Sequence, residues 1–108
     1  MDQAYFSLEV QRDGTTLGLR LAGEFDWAVC GHLDGALQQA LGPPTEQIIF
    51  DLSALEFLDA AGLAAIVQAS EEAHEKQMNV TVVRPRGRAN GIFALTGADE
   101  RLAMISQP

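Results

Sequence analysis

Residues 47–64 leave this chain few ways to fold. Gln47-Ile48-Ile49-Phe50-Asp51-Leu52 is apolar without strict alternation, the composition of a strand buried on both faces of a sheet. Ser53-Ala54-Leu55-Glu56-Phe57-Leu58 follows as a short connector, too rich in apolar residues to lie in solvent. Asp59 is suited to cap a helix. Over about residues 60–77, Leu63, Ile66, Val67, Ser70, Ala73 and His74 share one stripe, while Gln68, Glu71, Glu72, Glu75 and Lys76 share the other. Val80-Thr81-Val82-Val83 is β-branched and returns the chain to a strand. A buried strand, an amphipathic helix and a second strand make a βαβ unit, whose strands are parallel and whose helix lies on the sheet.

The chain before this unit pairs differently. Phe6, Leu8 and Val10 alternate with Ser7, Glu9 and Gln11, and Leu17, Leu19 and Leu21 alternate with Thr16, Gly18 and Arg20. Asp13-Gly14 between them tolerates the positive φ angles of a tight turn, so the two strands form an antiparallel hairpin. Gly23-Glu24-Phe25-Asp26 breaks the alternation. From about 27 to 41, Val29, Leu33, Ala36, Leu37, Ala40 and Leu41 recur at helical spacing, with Asp26 placed to cap the helix and Gly42-Pro43-Pro44 placed to end it. After the last strand, Arg84-Pro85-Arg86-Gly87-Arg88 reads as a loop. Ile92, Phe93 and Leu95 read as a third, short helix stopped by Gly97, and Leu102, Met104 and Ile105 as one more helical turn or a strand end. The expected architecture is α/β. One domain spans residues 1–108, with its core in about 6–105, on a mixed β-sheet with an N-terminal antiparallel hairpin and about four helices packed on it.

Charge narrows the function. Seven basic against fifteen acidic residues give a net charge of −8, which repels phosphate and disfavours both nucleic acid and an anionic membrane surface as partners. No apolar run approaches the roughly 20 residues of a membrane-spanning helix. Met1-Asp2-Gln3-Ala4 starts neither a basic nor an apolar leader, so no direct membrane insertion and a cytoplasmic location are expected. Cys30, the single cysteine, rules out an internal disulfide and a multi-thiolate metal site, and reads as a small buried hydrophobe. His32 and His74 stand apart, with no ligand spacing around either, and read as surface or packing histidines; no metal site is expected. The chain has no phosphate loop, no G-x-G-x-x-G and no G-x-S-x-G elbow. No catalytic residue and no cofactor are expected, which leaves binding rather than chemistry. Arg84, Arg86 and Arg88 read as a solvated rim.

The opening of the second helix is unusual. Ala60-Ala61-Gly62 leaves the first turn bare, with free N–H groups and the positive end of the helix dipole. Gly62 costs about 1 kcal/mol against alanine inside a helix, which points to a close approach there. That approach comes either from a partner or from the chain's own neighbouring connector or strand.

The stretch from Ile48 to Ala64 resembles the signature of the STAS domain family as found in bacterial anti-sigma factor antagonists, which reads apolar-Asp-Leu-Ser-x-Leu-x-Phe-apolar-Asp-Ser-Ser-Gly-Leu. Leu21-Ala22-Gly23-Glu24-Phe25-Asp26 resembles the family's Leu-x-Gly-Glu-Leu-Asp, Val82-Val83-Arg84-Pro85 its strand followed by proline, and Leu95-Thr96-Gly97-Ala98-Asp99 its Leu-Thr-Gly-x-Asp. The motifs arrive in order from about residue 6 to 105. The resemblance implies a monomer or dimer that binds an anti-sigma factor of the serine-kinase type and so frees a sigma factor. Carried over by motif, the partner-binding surface is Glu24 and Asp26 before the first helix, with Asp59, Ala60, Ala61, Gly62 and Leu63 at the start of the second.

In that family, phosphorylation of the first serine after the aspartate breaks the complex, since a phosphate puts nearly two negative charges into the contact. Here Ala60 stands at that position and Ala61 follows, so neither can carry a phosphate ester. Ser53 is the alternative phosphorylation site within the motif, although its local role is to close the turn after the strand. The resemblance with this departure implies an antagonist that stays competent to bind. The alternative within the same fold is a STAS regulatory subunit of an ABC-type lipid or solute transport assembly, docked on its ATPase. A scaffold component of a larger signalling particle and a nucleotide-binding domain rank behind. Incubated with a kinase-type anti-sigma factor and ATP, the chain is expected to gain no phosphate by intact-mass measurement. Phosphate on the wild-type chain would overturn the loss of the switch.

Overall fold

A two-residue strand β1 (Asp2–Gln3) pairs antiparallel with β2 (Phe6–Asp13), which turns at Gly14 (φ 62°) into β3 (Thr16–Phe25). The hairpin register runs from Phe6↔Gly23 to Asp13↔Thr16, so the turn residues are Gly14-Thr15 rather than Asp13-Gly14, and Gly14 alone takes a positive φ there. A single 3-10 turn (Trp27–Val29) leads into α1 (Cys30–Ala40), followed by β4 (Gln47–Leu58), α2 (Ala60–Glu75), β5 (Asn79–Val83), α3 (Gly87–Thr96) and β6 (Met104–Ile105). This computed structural model describes residues 2–3, 5–40, 44–98, 102 and 104–105. Leu41, Gly42, Pro43 and Asp99, which carry helix-ending and motif expectations, lie outside them.

The six strands lie in chain order, β1-β2-β3-β4-β5-β6, antiparallel up to β3 and parallel from β3 to β6. Each crossover after β3 steps one strand in the same direction. Right-handed connections that all step one way place their helices on one face of the sheet. Burial agrees. Leu17, Leu19 and Leu21 of β3, Ile48, Phe50 and Leu52 of β4 and Val82 of β5 are buried under the helices. On the other face Ile49, Asp51, Thr81 and Val83 are half-buried, and Glu9, Gln11 and Arg20 are exposed. Gln47–Leu52 is therefore not buried on both faces as expected. Its outward side chains are Gln47, Ile49 and Asp51, and the sheet is covered on one side only.

The largest departure from the sequence reading is the segment 53–58, expected as a connector and found as strand. β4 runs unbroken to Leu58 and stays paired with β3, but Arg20↔Asp51 is followed by Ala22↔Ala54, and Gly23↔Leu55 by Glu24↔Phe57. Two single-residue bulges in β4 account for the offset. Buried positions then fall at Leu52, Leu55 and Leu58, spaced by three, so the period-two mark of a strand is absent. The first bulge is closed by Asp51, whose Oδ1 accepts from the Ser53 backbone N–H at 3.0 Å.

Smaller differences have local causes. β3 continues through Gly23, whose φ of 87° lets the chain pass the Tyr5 carbonyl where a Cβ would collide. Asp26 does cap, with Oδ1 accepting from Ala28 N–H at 3.0 Å, but it caps the 3-10 turn, and the α-helix starts at Cys30. α3 begins at Gly87, so the loop ends at Arg86; Gly97 (φ 78°) stops it as expected. The tail takes the strand option as β6. Three α-helices and the 3-10 turn stand where about four helices were expected. His74, placed on the apolar stripe of α2, is exposed.

The close approach at Gly62 comes from the chain itself. A Cβ there would meet the Phe25 carbonyl oxygen and would lie 2.8 Å from Leu58 Cδ1. Both are at the strand ends that deliver the chain to the helices. Propensity alone would have Gly62→Ala stabilise by about 1 kcal/mol. The packing predicts the opposite sign, a loss of about 1–3 kcal/mol from overpacking, read from the urea midpoint.

Candidate partner-docking surface

Parallel strands deliver functional groups where their C-terminal ends meet helix N-termini. β3 ends at Phe25 and β4 at Leu58, side by side in the register Phe25↔Leu58. Asp59 follows β4 in extended conformation (φ −94°, ψ 178°). Its carboxylate joins two elements: Oδ1 accepts from Gly62 N–H at 2.7 Å, and Oδ2 accepts from Trp27 N–H at 3.0 Å. The first bond caps α2, and the second holds the 3-10 turn against it. Asp59 N–H donates to the Phe25 carbonyl at 3.4 Å, and Leu63 N–H to the Asp59 carbonyl at 2.9 Å.

Asp26 makes a second, smaller hub. Besides capping Ala28, its Oδ1 accepts from the Tyr5 hydroxyl at 3.2 Å, and its carbonyl accepts from the Cys30 thiol at 3.2 Å. Burial pushes the Cys30 thiol above its usual range, and the charges of Asp59 and Asp26 push it further. The thiol stays protonated and packs as a small neutral group. Partial burial, then the hydrogen bond and charge of Asp26 and the charge of Glu24, raise the Tyr5 hydroxyl in the same way.

The seven residues carried over by motif are thus brought to one end of the sheet, in unequal roles. Glu24 and Ala60 are exposed. Asp26, Asp59 and Ala61 are half-buried, the two aspartates occupied as caps. Gly62 and Leu63 are buried, so they shape the surface from beneath. Ser53 is half-buried at the first bulge, inside the strand. Among the described residues no group of three or more His, Cys, Asp or Glu side chains converges as a metal site would need.

Sequence reasoning passed over three residues on this end of the molecule. Trp27 is 79% exposed, Phe57 47% and Leu95 89%. Trp27 directly follows a capping aspartate, at the first position of the turn, where a side chain faces out. Phe57 comes right after the residue inserted at the second bulge of β4. Leu95 shares a short helix with Ile92 and Phe93, but Phe93 is buried and Leu95 points away from the core. The available signal was their failure to fit a single helical or strand period.

The family model described as Mlab, STAS domain matches residues 8–106. Among solved structures, the chain is similar to an anti-sigma factor antagonist from Mycobacterium paratuberculosis, at 25% identity over 92% of this chain and 84% of that one, with a TM-score of 0.79. It is similar to the anti-sigma factor antagonist SpoIIAA in its unphosphorylated form, at 17% identity over 94% and 89% of the two chains, with a TM-score of 0.79. The Bacillus cell fate determinant SpoIIAA in the phosphorylated form is similar at 18% identity over 94% and 92%, with a TM-score of 0.65. The last two likenesses speak for the fold. No curated protein matches the chain in sequence.

Asp59→Ala removes the cap and the bridge together. It is expected to lower stability by about 1–2 kcal/mol in urea. Trp27 is the single tryptophan, so its fluorescence anisotropy should fall as the 3-10 turn loses its tether. Unchanged anisotropy would mean that the turn is held without Asp59.

Proposed function

Because the chain belongs to the STAS domain family, we propose that it is an anti-sigma factor antagonist, which binds an anti-sigma factor of the serine-kinase type through the start of α2 and the turn beside it, and so releases a sigma factor. The observation that carries this reading is the capped, alanine-opened helix start, set at one end of a fold shared with an antagonist at 25% identity. Ala60 is exposed in the middle of that surface. Carboxylates lie at the same end of the sheet: Asp59 caps its helix, and Asp26 and Glu24 stand on the neighbouring turn and strand end. Acidic groups around a small apolar centre favour a basic-rimmed partner and fast, salt-sensitive association.

With alanine in place of the family serine, the chain behaves permanently as an unphosphorylated antagonist does, and control passes to its abundance or to the partner. The role is one of binding, without catalysis or cofactor, as a monomer or dimer in the cytoplasm. A second reading, a regulatory STAS subunit docked on the ATPase of a transport assembly, has one observation in its favour: the matching family model is described by Mlab rather than by an antagonist. Among the described residues no helix is long and apolar enough to cross a membrane, so on that reading the chain would dock on the assembly rather than insert beside it.

Titration against the purified anti-sigma factors and transporter ATPases of the source cell separates the two. The antagonist reading expects tight binding to an anti-sigma factor and none to an ATPase. Ala60→Asp, which places a fixed charge where a phosphate would sit, is expected to weaken that binding at least a hundredfold with the fold intact. Unchanged affinity would move the contact elsewhere.

A further inference from the structure

A cleft opens beside the helix start, between the end of β4 and the outer side of α3. Its β4 wall exists because of the second bulge. Gly23↔Leu55 is followed by Glu24↔Phe57, which leaves Glu56 as the inserted residue and both Glu56 and Phe57 exposed. In a regular strand, alternation would send one of this pair to the core; a bulge re-aims side chains in this way. The facing wall is α3, where Ile92 is half-buried and Leu95 is 89% exposed. Leu95, 89% exposed, contributes little to folding, whereas Phe57, 47% exposed, keeps about half of its surface in water.

Charge says what fits between them. Glu24 and Glu56 line the same cleft and carry no ion pair among the described residues; Arg88, its one basic lining residue, pairs with neither. Two carboxylates against one arginine, beside two exposed apolar side chains on a chain of net charge −8, complement an apolar anchor flanked by lysine or arginine. A second copy of this chain would bring the same excess of negative charge and is repelled.

We infer that the Phe57–Leu95 cleft is a second contact of the docking surface, which takes a protruding apolar side chain of the anti-sigma factor with a basic residue set against Glu24 and Glu56. The inference rests on the antagonist reading. It goes beyond it in assigning affinity to residues away from Ala60 and in stating the chemistry of the partner's matching segment.

The test uses the purified anti-sigma factor that binds the wild-type chain. Phe57→Ser and Leu95→Ser are each expected to weaken binding about tenfold or more, as loss of a buried anchor does. Leu95→Ser should melt as wild type does, while Phe57→Ser, which gives up a half-covered side chain, should melt somewhat lower with an unchanged circular dichroism spectrum. Glu24→Gln with Glu56→Gln should flatten the salt dependence of the association rate, a readout that mere structural damage does not produce. Wild-type affinity in both serine variants, with Ala60→Asp still abolishing binding, would overturn the cleft and leave the antagonist reading standing. Binding of no anti-sigma factor by the wild-type chain would overturn both.

Discussion

One carboxylate ties the working end of this molecule together. Asp59 accepts from the Gly62 N–H in the first turn of α2 and from the Trp27 N–H that starts the 3-10 turn, through different oxygens. Each bond alone is an ordinary cap, worth about 1 kcal/mol. Together they fix the relative position of two elements 32 residues apart in sequence. The arrangement depends in turn on Gly62, because only a residue without Cβ lets the Phe25 carbonyl lie against the first turn of the helix. Strand end, turn and helix start are thereby one unit, and Ala60 and Trp27 stand at fixed places on it.

The two bulges of β4 serve the same end. Between Arg20 and Phe25, β3 takes five steps while β4 takes seven between Asp51 and Leu58. The surplus keeps backbone pairing to the last residue and brings Leu58 level with Phe25. It also redistributes side chains: Leu55 and Leu58 go to the core, while Glu56 and Phe57 go to the surface. A regular strand of this sequence would bury a carboxylate or leave a leucine in water, and burying an unpaired charge is the costlier outcome.

How far the sequence could be read follows from the range of the interactions involved. The hairpin at Gly14, the caps at Asp26 and Asp59 and the stop at Gly97 rest on contacts within a few residues, and each appears where its residue type demands. The strand character of residues 53–58 depends on pairing with β3, more than thirty residues earlier, and the bulges that make pairing possible erase the period that would have announced it. The partner of Gly62 is likewise a distant backbone carbonyl, invisible to local pattern. For the docking surface, motif spacing brought Glu24, Asp26, Asp59 and Ala60 to one end. The exposed Trp27, Phe57 and Leu95 went unread because exposure of a large apolar side chain is a property of the assembled sheet and helices, not of a window of sequence.

Electrostatics explains why the alanine matters more than its size suggests. A helix N-terminus tolerates a phosphate well, so phosphorylation on a serine at this position would do little harm to the protein that carries it. Its effect falls on the partner, which must bring its own surface against two added charges. This end of the chain carries Asp26, Asp59 and Glu24; burial first, and then the charges of Asp59 and Asp26, raise the Cys30 thiol, and burial, then Asp26 and Glu24, raise the Tyr5 hydroxyl. A partner that fits this surface is selected to meet that fixed field with basic groups. It would find two further charges at the apolar centre, rather than at the rim, the hardest to accommodate. On the antagonist reading, alanine takes covalent charge away from that position and the acidic rim stays attractive there, while the exposed Thr96 hydroxyl lines the groove beside Ala60.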